Sequence, residues 1–172
     1  MESTDLWNRF IDEVYYSFLD NNSKSLSTEQ KNAIIAFAYD SEVNNGGHLI
    51  FFDTFGNIFS TNDVAEALRV IGGEKFALNF LSAASHIYYV DDDYGYTSDK
   101  DDESVESEDF AYYEMNPSLP DLIEAYIVDN KENIFKTIQE DKQTILDSLV
   151  GIIPNNGSTL DDARSERLTK QH

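Results

Sequence analysis

Glu42-Val-Asn-Asn-Gly-Gly-His-Leu-Ile-Phe-Phe52 is the stretch that decides the fold. It reads as the end of one helix, a tight turn at Asn44, Asn45, Gly46 and Gly47, and the start of the next. Asn and Gly tolerate positive φ at little cost, so the chain can reverse sharply there. Leu49, Ile50, Phe51, Phe52 and Phe55 are too apolar to leave in water. The turn is therefore read as the corner where two core helices meet.

The sequence on either side of this corner extends the helical pattern. Trp7, Phe10, Ile11, Val14 and Phe18 form one stripe of an amphipathic helix over about residues 4–20, with Asp5, Asp12, Glu13 and Asp20 mostly off that stripe. Residues 21–25 read as a loop. Ser27-Thr-Glu-Gln30 is a capping box that opens a helix through Ala33, Ile34, Phe37 and Ala38 to about Val43. A third helix runs from about Gly47 to Phe55. Ser60-Thr-Asn-Asp63 caps a fourth, with Val64, Ala67, Leu68 and Ile71 on its stripe and Gly72-Gly73 at its end. A fifth, about Glu74–Val90, is the most apolar and is expected to be the most buried.

Residues 91–109 hold ten acids and one base, and apolar periodicity is lost; a mobile acidic loop is expected. Phe110, Tyr112, Tyr113 and Met115 are expected to return to the core. Pro120 suits the first turn of a helix carrying Leu122, Ile123, Tyr126 and Ile127. Ile134, Phe135, Ile138, Ile145, Leu146 and Leu149 suggest one or two more helices to about Val150. No period-2 pattern persists long enough to assign a strand. The expected architecture is an all-α single domain of seven to nine helices over residues 1–153, with a loose tail at 154–172.

Composition bounds the function. At 172 residues the chain is long enough for a sizeable core, and its 11 Phe and 10 Tyr exclude a wholly disordered one. Cysteine is absent, so there is no disulfide framework and no thiolate ligand or nucleophile, which fits a cytoplasmic protein. The acidic N-terminus lacks a signal-peptide pattern, and no apolar run approaches the ~18 residues that span a bilayer. His48, His86 and His172 fall in no zinc-binding spacing, and Gly-x-Ser-x-Gly is absent. The Asp91–Glu103 carboxylates miss the calcium-loop pattern, since Gly95 is fifth and Tyr96 sixth counting from Asp91. No cofactor is expected, and the chain is read as non-enzymatic. The competing enzyme reading centres on His48, at a helix N-terminus, with Glu42.

Charge is the outlying quantity: 33 Asp and Glu against 12 Lys and Arg give −21. Such a chain repels nucleic acid and anionic membranes and attracts basic proteins. Carboxylates on rigid helices can stand where a duplex places phosphates, one charge per ~1.7 Å of axis. The candidates are Asp5, Asp12, Glu13 and Asp20 on the first helix, Asp91, Asp92 and Asp93 in the acidic segment, and Asp121, Glu124 and Asp129 on a later helix.

At the corner the chain resembles a bacterial DNA-mimic protein family: acidic, mainly helical single domains of about this length. The similarity rests on Glu42, Asn45, Gly46, Gly47, Phe51 and Phe52, followed by Ala67, Leu68, Ile71 and Gly72. It extends over roughly residues 5–138. His48 departs from the aromatic expected there, and Ile50 from a Gln. The resemblance implies a homodimer whose acidic face occupies the DNA-binding surface of a basic protein, a transcriptional regulator above all. An immunity protein neutralising a basic toxin such as a nuclease is the alternative.

Overall fold

The computed structural model describes residues 3–20, 26–91, 95–98 and 103–136. These belong to one compact unit, Met1–Thr137. They form eight α-helices and one hairpin: α1 (Ser3–Phe10), α2 (Tyr16–Leu19), α3 (Thr28–Gly46), α4 (His48–Phe55), α5 (Thr61–Val70), α6 (Glu74–Ala84), β1 (Ile87–Asp91), β2 (Gly95–Ser98), α7 (Glu103–Tyr113) and α8 (Leu119–Asp129). A π-helical turn (Ile11–Tyr15) joins α1 to α2, so the first amphipathic helix is present with one widened turn. The all-α expectation holds in its helix count. The helical run expected from Ile134 is present over residues 131–136, with Ile134 and Phe135 buried; its continuation to about Val150, the tail at 154–172 and the loop at 21–25 lie outside the described residues.

The central helix is α3. It opens on the Ser27–Gln30 capping box, in which Ser27 Oγ accepts from Gln30 N and Gln30 Oε1 accepts from Ser27 N. Ala33, Ile34, Ile35, Ala36, Ala38, Tyr39 and Val43 are all buried, because α4, α5, α8 and the π turn pack around it. It carries more buried residues, nine, than the helix from Glu74, which has five. α6 buries Phe76, Ala77, Phe80 and Ala83 but leaves Leu78 exposed.

Helix α3 continues to Gly46, past the expected end near Val43, and the corner narrows to the single residue Gly47. Its φ of 86° and ψ of −178° belong to a region open essentially to glycine alone. A Cβ there would also run into the Asp109 carboxylate. Phe51, Phe52 and Phe55 then enter the core, where Phe52 stacks on Phe80 at 5.6 Å between centroids.

Two expectations are corrected downstream. The helix from Glu74 ends at Ala84, and Ile87–Asp91 pairs antiparallel with Gly95–Ser98, Tyr89 opposite Tyr96. β-branched and aromatic residues fit a pleated strand better than a crowded helix turn, and the Asp53 carboxylate accepts from Tyr96 N at 2.8 Å to tie β2 to α4. The acidic segment 91–109 is therefore no continuous loop: strand β2 and the first seven residues of α7 lie within it. Asp92 and Asp93 lie outside the described residues. Of the aromatics expected to re-enter the core, Tyr112 does so, but Phe110 is 70% exposed and Tyr113 56%. Val105 and Tyr112, seven residues apart, form the buried stripe of α7, which turns Phe110 outward.

Candidate functional site

Carboxylates serve two roles in this chain. The first is internal. Asp109 on α7 points at the start of α4, where one oxygen accepts from His48 N at 2.9 Å and from His48 Nδ1 at 2.5 Å. A carboxylate only accepts, so Nδ1 carries the proton. Nε2 faces the Tyr39 hydroxyl at 2.8 Å. Tyr39 is fully buried, and burial, with Asp109 and Asp40 nearby, holds its phenol pKa well above the usual value. The neutral phenol is the donor to Nε2. Beside this chain, the Tyr112 hydroxyl donates to the buried Asp40 carboxylate. Burial pushes Asp40 up against the opposing pull of Tyr112 and Asn44. Burial also pushes Asp109 up, but the side-chain and backbone hydrogen bonds from His48 outweigh it and leave the pKa below the usual range.

The Asp109–His48–Tyr39 chain has the order of a proton relay. His48, however, is 0% exposed and both ring nitrogens are engaged, so neither meets a substrate. Glu42, its suggested companion, instead accepts from Thr54 Oγ1 at 3.4 Å. The network holds α7 against the α3–α4 corner.

The second role is display. α1 packs against α8, so two of the acid-bearing helices nominated from sequence are neighbours. Their seam bears an open pocket of about 170 Å³ lined, among the described residues, by Thr4, Trp7, Pro120 and Glu124. Asp5 and Asp121 directly follow two of these residues and are exposed. Asp12, Asp20 and Asp129 are exposed as well. Glu13 is half-buried and ion-paired with Arg9 at 3.0 Å. Asp121 also closes the α8 capping box, accepting from Ser118 N and Oγ. Asp91 stands on the hairpin, which packs against α4 and α6, not on the α1–α8 seam. The nominated acids therefore fall on the α1–α8 pair, on the π turn and α2 that follow α1, and on the hairpin.

Helix physics separates them further. Acids in a first turn, such as Asp5, Asp63 and Asp121, are favoured by the macrodipole. Asp129 ends α8 and Asp20 caps the C-terminus of α2, where the dipole opposes a negative charge. Local stability does not account for those two. Three of the bases are already committed: Arg9 to Glu13, Lys31 to Asp63 at 2.9 Å, and Arg69 to Glu74 at 3.3 Å.

Sequence reasoning missed α7 as a carrier of fixed carboxylates. Glu106 is exposed on it, and Glu108 is held by hydrogen bonds from Ser107 and Ser82 that pull its pKa down. The spacing of Val105 and Tyr112 was the available signal.

The DMP19-like protein family matches residues 24–130, well over half of the sequence. The chain belongs to the DMP19-like family. The match contains the Asn45-Gly46-Gly47 corner without singling it out, and it contains α8. Helix α1 precedes it. No curated protein and no solved structure matches the chain.

Proposed function

We propose that this member of the DMP19-like family is a non-enzymatic DNA mimic. In this reading its carboxylates occupy the phosphate-binding surface of a basic DNA-binding protein, a transcriptional regulator above all, and so inhibit it. The family is the DNA-mimic family to which the corner resemblance pointed, and that membership supports the coarse reading. The observation that carries it further is the α1–α8 seam: packed helices that carry exposed acids, one of which, Asp129, stands at a helix C-terminus where it opposes local stability. Asp5 on α1 and Asp12 in the π-helical turn that continues it are seven residues apart, which is about 10 Å along the axis. Three phosphate steps on one strand of a duplex span about the same distance.

The partner follows from this chemistry. It presents Lys and Arg in a groove made for a polyanion, and it binds the mimic and a duplex mutually exclusively. The test is affinity capture of the basic partner from the native cell, followed by competition with duplex DNA. The account expects duplex DNA to displace the captured protein and the interaction to weaken steeply between low and moderate salt. Simultaneous binding of duplex and mimic, or an affinity undiminished by salt, contradicts it.

A further inference from the structure

Tyr16, Leu19 and Ile58 are large apolar side chains that stand 54%, 44% and 58% exposed. One packing contact brings them to the same place. The Phe18 ring stacks on Phe59 at 5.7 Å between centroids and 19° between planes, so α2 lies against the turn that follows α4. Leu19 and Ile58 are the chain neighbours of those two rings. Ile58 N and Phe59 N both donate to Phe55 O, at 2.8 and 2.9 Å, and Phe59 stacks on the buried Phe55, which holds the turn in place. On the α2 side, the π turn buries Val14 and Tyr15 and leaves Tyr16 outward. Carboxylates border the patch. Asp20 N donates to Tyr16 O at 3.0 Å, which puts Tyr16 and the exposed Asp20 one helical turn apart on one face. Asp12 is exposed in the π turn before them. Apolar side chains grouped in this way and rimmed by polar ones mark an interaction surface.

We propose that the Tyr16–Leu19–Ile58 patch is an apolar anchor for the basic partner. It receives an aliphatic or aromatic side chain that stands among the partner's lysines and arginines, while Asp12 and Asp20 face those bases. DNA-binding surfaces carry such side chains where they wedge between base steps. A second copy of this chain suits the patch less: an isologous contact brings both copies' Asp12 and Asp20 together, where like charges repel. Salt screens the carboxylates and leaves the apolar contact, so the mimic keeps a share of its affinity that charge alone does not provide. The proposal rests on the DNA-mimic reading for the partner's basic character, and it adds the apolar contact that fixes the partner's register.

The full-length protein is titrated with two heptapeptides, which carry three lysines on each side of a central phenylalanine or a central glycine. Binding heat is followed over a salt series. The phenylalanine peptide is expected to bind about five- to tenfold tighter than the glycine peptide at every salt concentration. The two are expected to share one slope of log affinity against log salt, since the added contact releases no counterions. Ile58→Ser and, separately, Leu19→Ser are expected to reduce the preference about threefold or more and to change the glycine peptide by less than about twofold. Asp20→Asn is expected to weaken both peptides alike and to make both slopes shallower. Phe110→Ser, at the exposed ring on α7, is expected to change neither peptide by more than about twofold. Each patch variant is read with its Tm, and if one fails to fold the other decides. Equal affinity of the two peptides, a preference that survives both patch variants, or one lost in Phe110→Ser overturns the proposal. So does a sedimenting dimer that Ile58→Ser turns into a monomer, since the patch then belongs to a second copy. Duplex competition with the captured partner reads the DNA-mimic proposal separately. Intact competition with no peptide preference overturns the anchor alone; a preference that depends on Leu19 and Ile58, without competition, overturns the mimic alone.

Discussion

The corner where α7 meets α4 and the seam where α1 meets α8 are both rich in carboxylates, and they use them in opposite ways. At the corner, Asp109 and Asp40 are drawn inward and their oxygens are taken by His48, Tyr112 and Asn44. At the seam, Asp5 and Asp129 face solvent, as does Asp12 in the π turn that follows α1. An inward carboxylate is costly to disturb because its partners are buried with it. An outward one contributes little to folding, and at a helix C-terminus it opposes it. Net charge alone does not separate these roles. A substitution series does, since the first group should change stability and the second should change binding.

The largest effect is expected from Asp109→Ala. It strands His48 Nδ1–H and the first N–H of α4 in a buried site, at a cost of about 3 kcal/mol. For a chain of this length that lowers Tm by roughly 6–12 °C, read by thermal unfolding. Gly47→Ala comes next, at about 2–3 kcal/mol, because its backbone conformation admits only glycine and its Cβ meets Asp109. If either variant melts like the parent, the corner is not the clamp described here.

The pH dependence of stability sharpens the contrast. Asp109 is held below its unfolded pKa, so its contribution is complete above about pH 4, the unfolded value, and is lost as pH falls through the folded one. Asp40, pushed up by burial, has the opposite sign: acid relieves its burial penalty. Asp109→Asn is therefore expected to flatten the acid limb of a stability–pH curve, and Asp40→Asn to steepen it. On the alkaline side Tyr15 is pushed up to about 12 by burial, Glu42 and Tyr16. Its raised folded pKa makes its contribution complete below about pH 10 and lost as pH rises toward 12. Tyr15→Phe should flatten that limb.

The smallest stability effects belong to the exposed acids of the seam and of the π turn that follows α1. Asp12→Asn is expected to leave Tm within about 2 °C of the parent. Asp129→Asn should raise it by about 1 °C by relieving the helix terminus. Together with Asp5→Asn, the two substitutions should weaken partner binding and make its salt dependence shallower. A large drop in Tm with binding unchanged would reverse the assignment of roles.

Much of this fold was legible because its signals are local. Ser27 with Gln30 and Ser60 with Asp63 set helix starts within four residues, and Gly47 marks the corner from its own chemistry. What escaped was non-local. Asp109 and His48 are 61 positions apart, and nothing near either residue announces the other. The hairpin was missed because Ile87–Val90 continues an apolar helical run without a break until its partner strand is known. Helix α7 was hidden by its own charge, since four acids over 103–109 masked the Val105–Tyr112 stripe. For the candidate site, the acids of α1 and α8 could be named from sequence. Their adjacency, and the open pocket between them, required the packing of both helices on α3.

The central claim is that the seam carboxylates stand where a duplex would put its phosphates. Zero-length coupling of carboxylates to lysine amines in the complex with the captured partner, with and without excess duplex DNA, tests it most directly. The account predicts cross-links to partner lysines at Asp5 and Asp129 that disappear when duplex is added. Cross-links confined to α7 and the hairpin, or seam cross-links that persist in the presence of duplex, would contradict it.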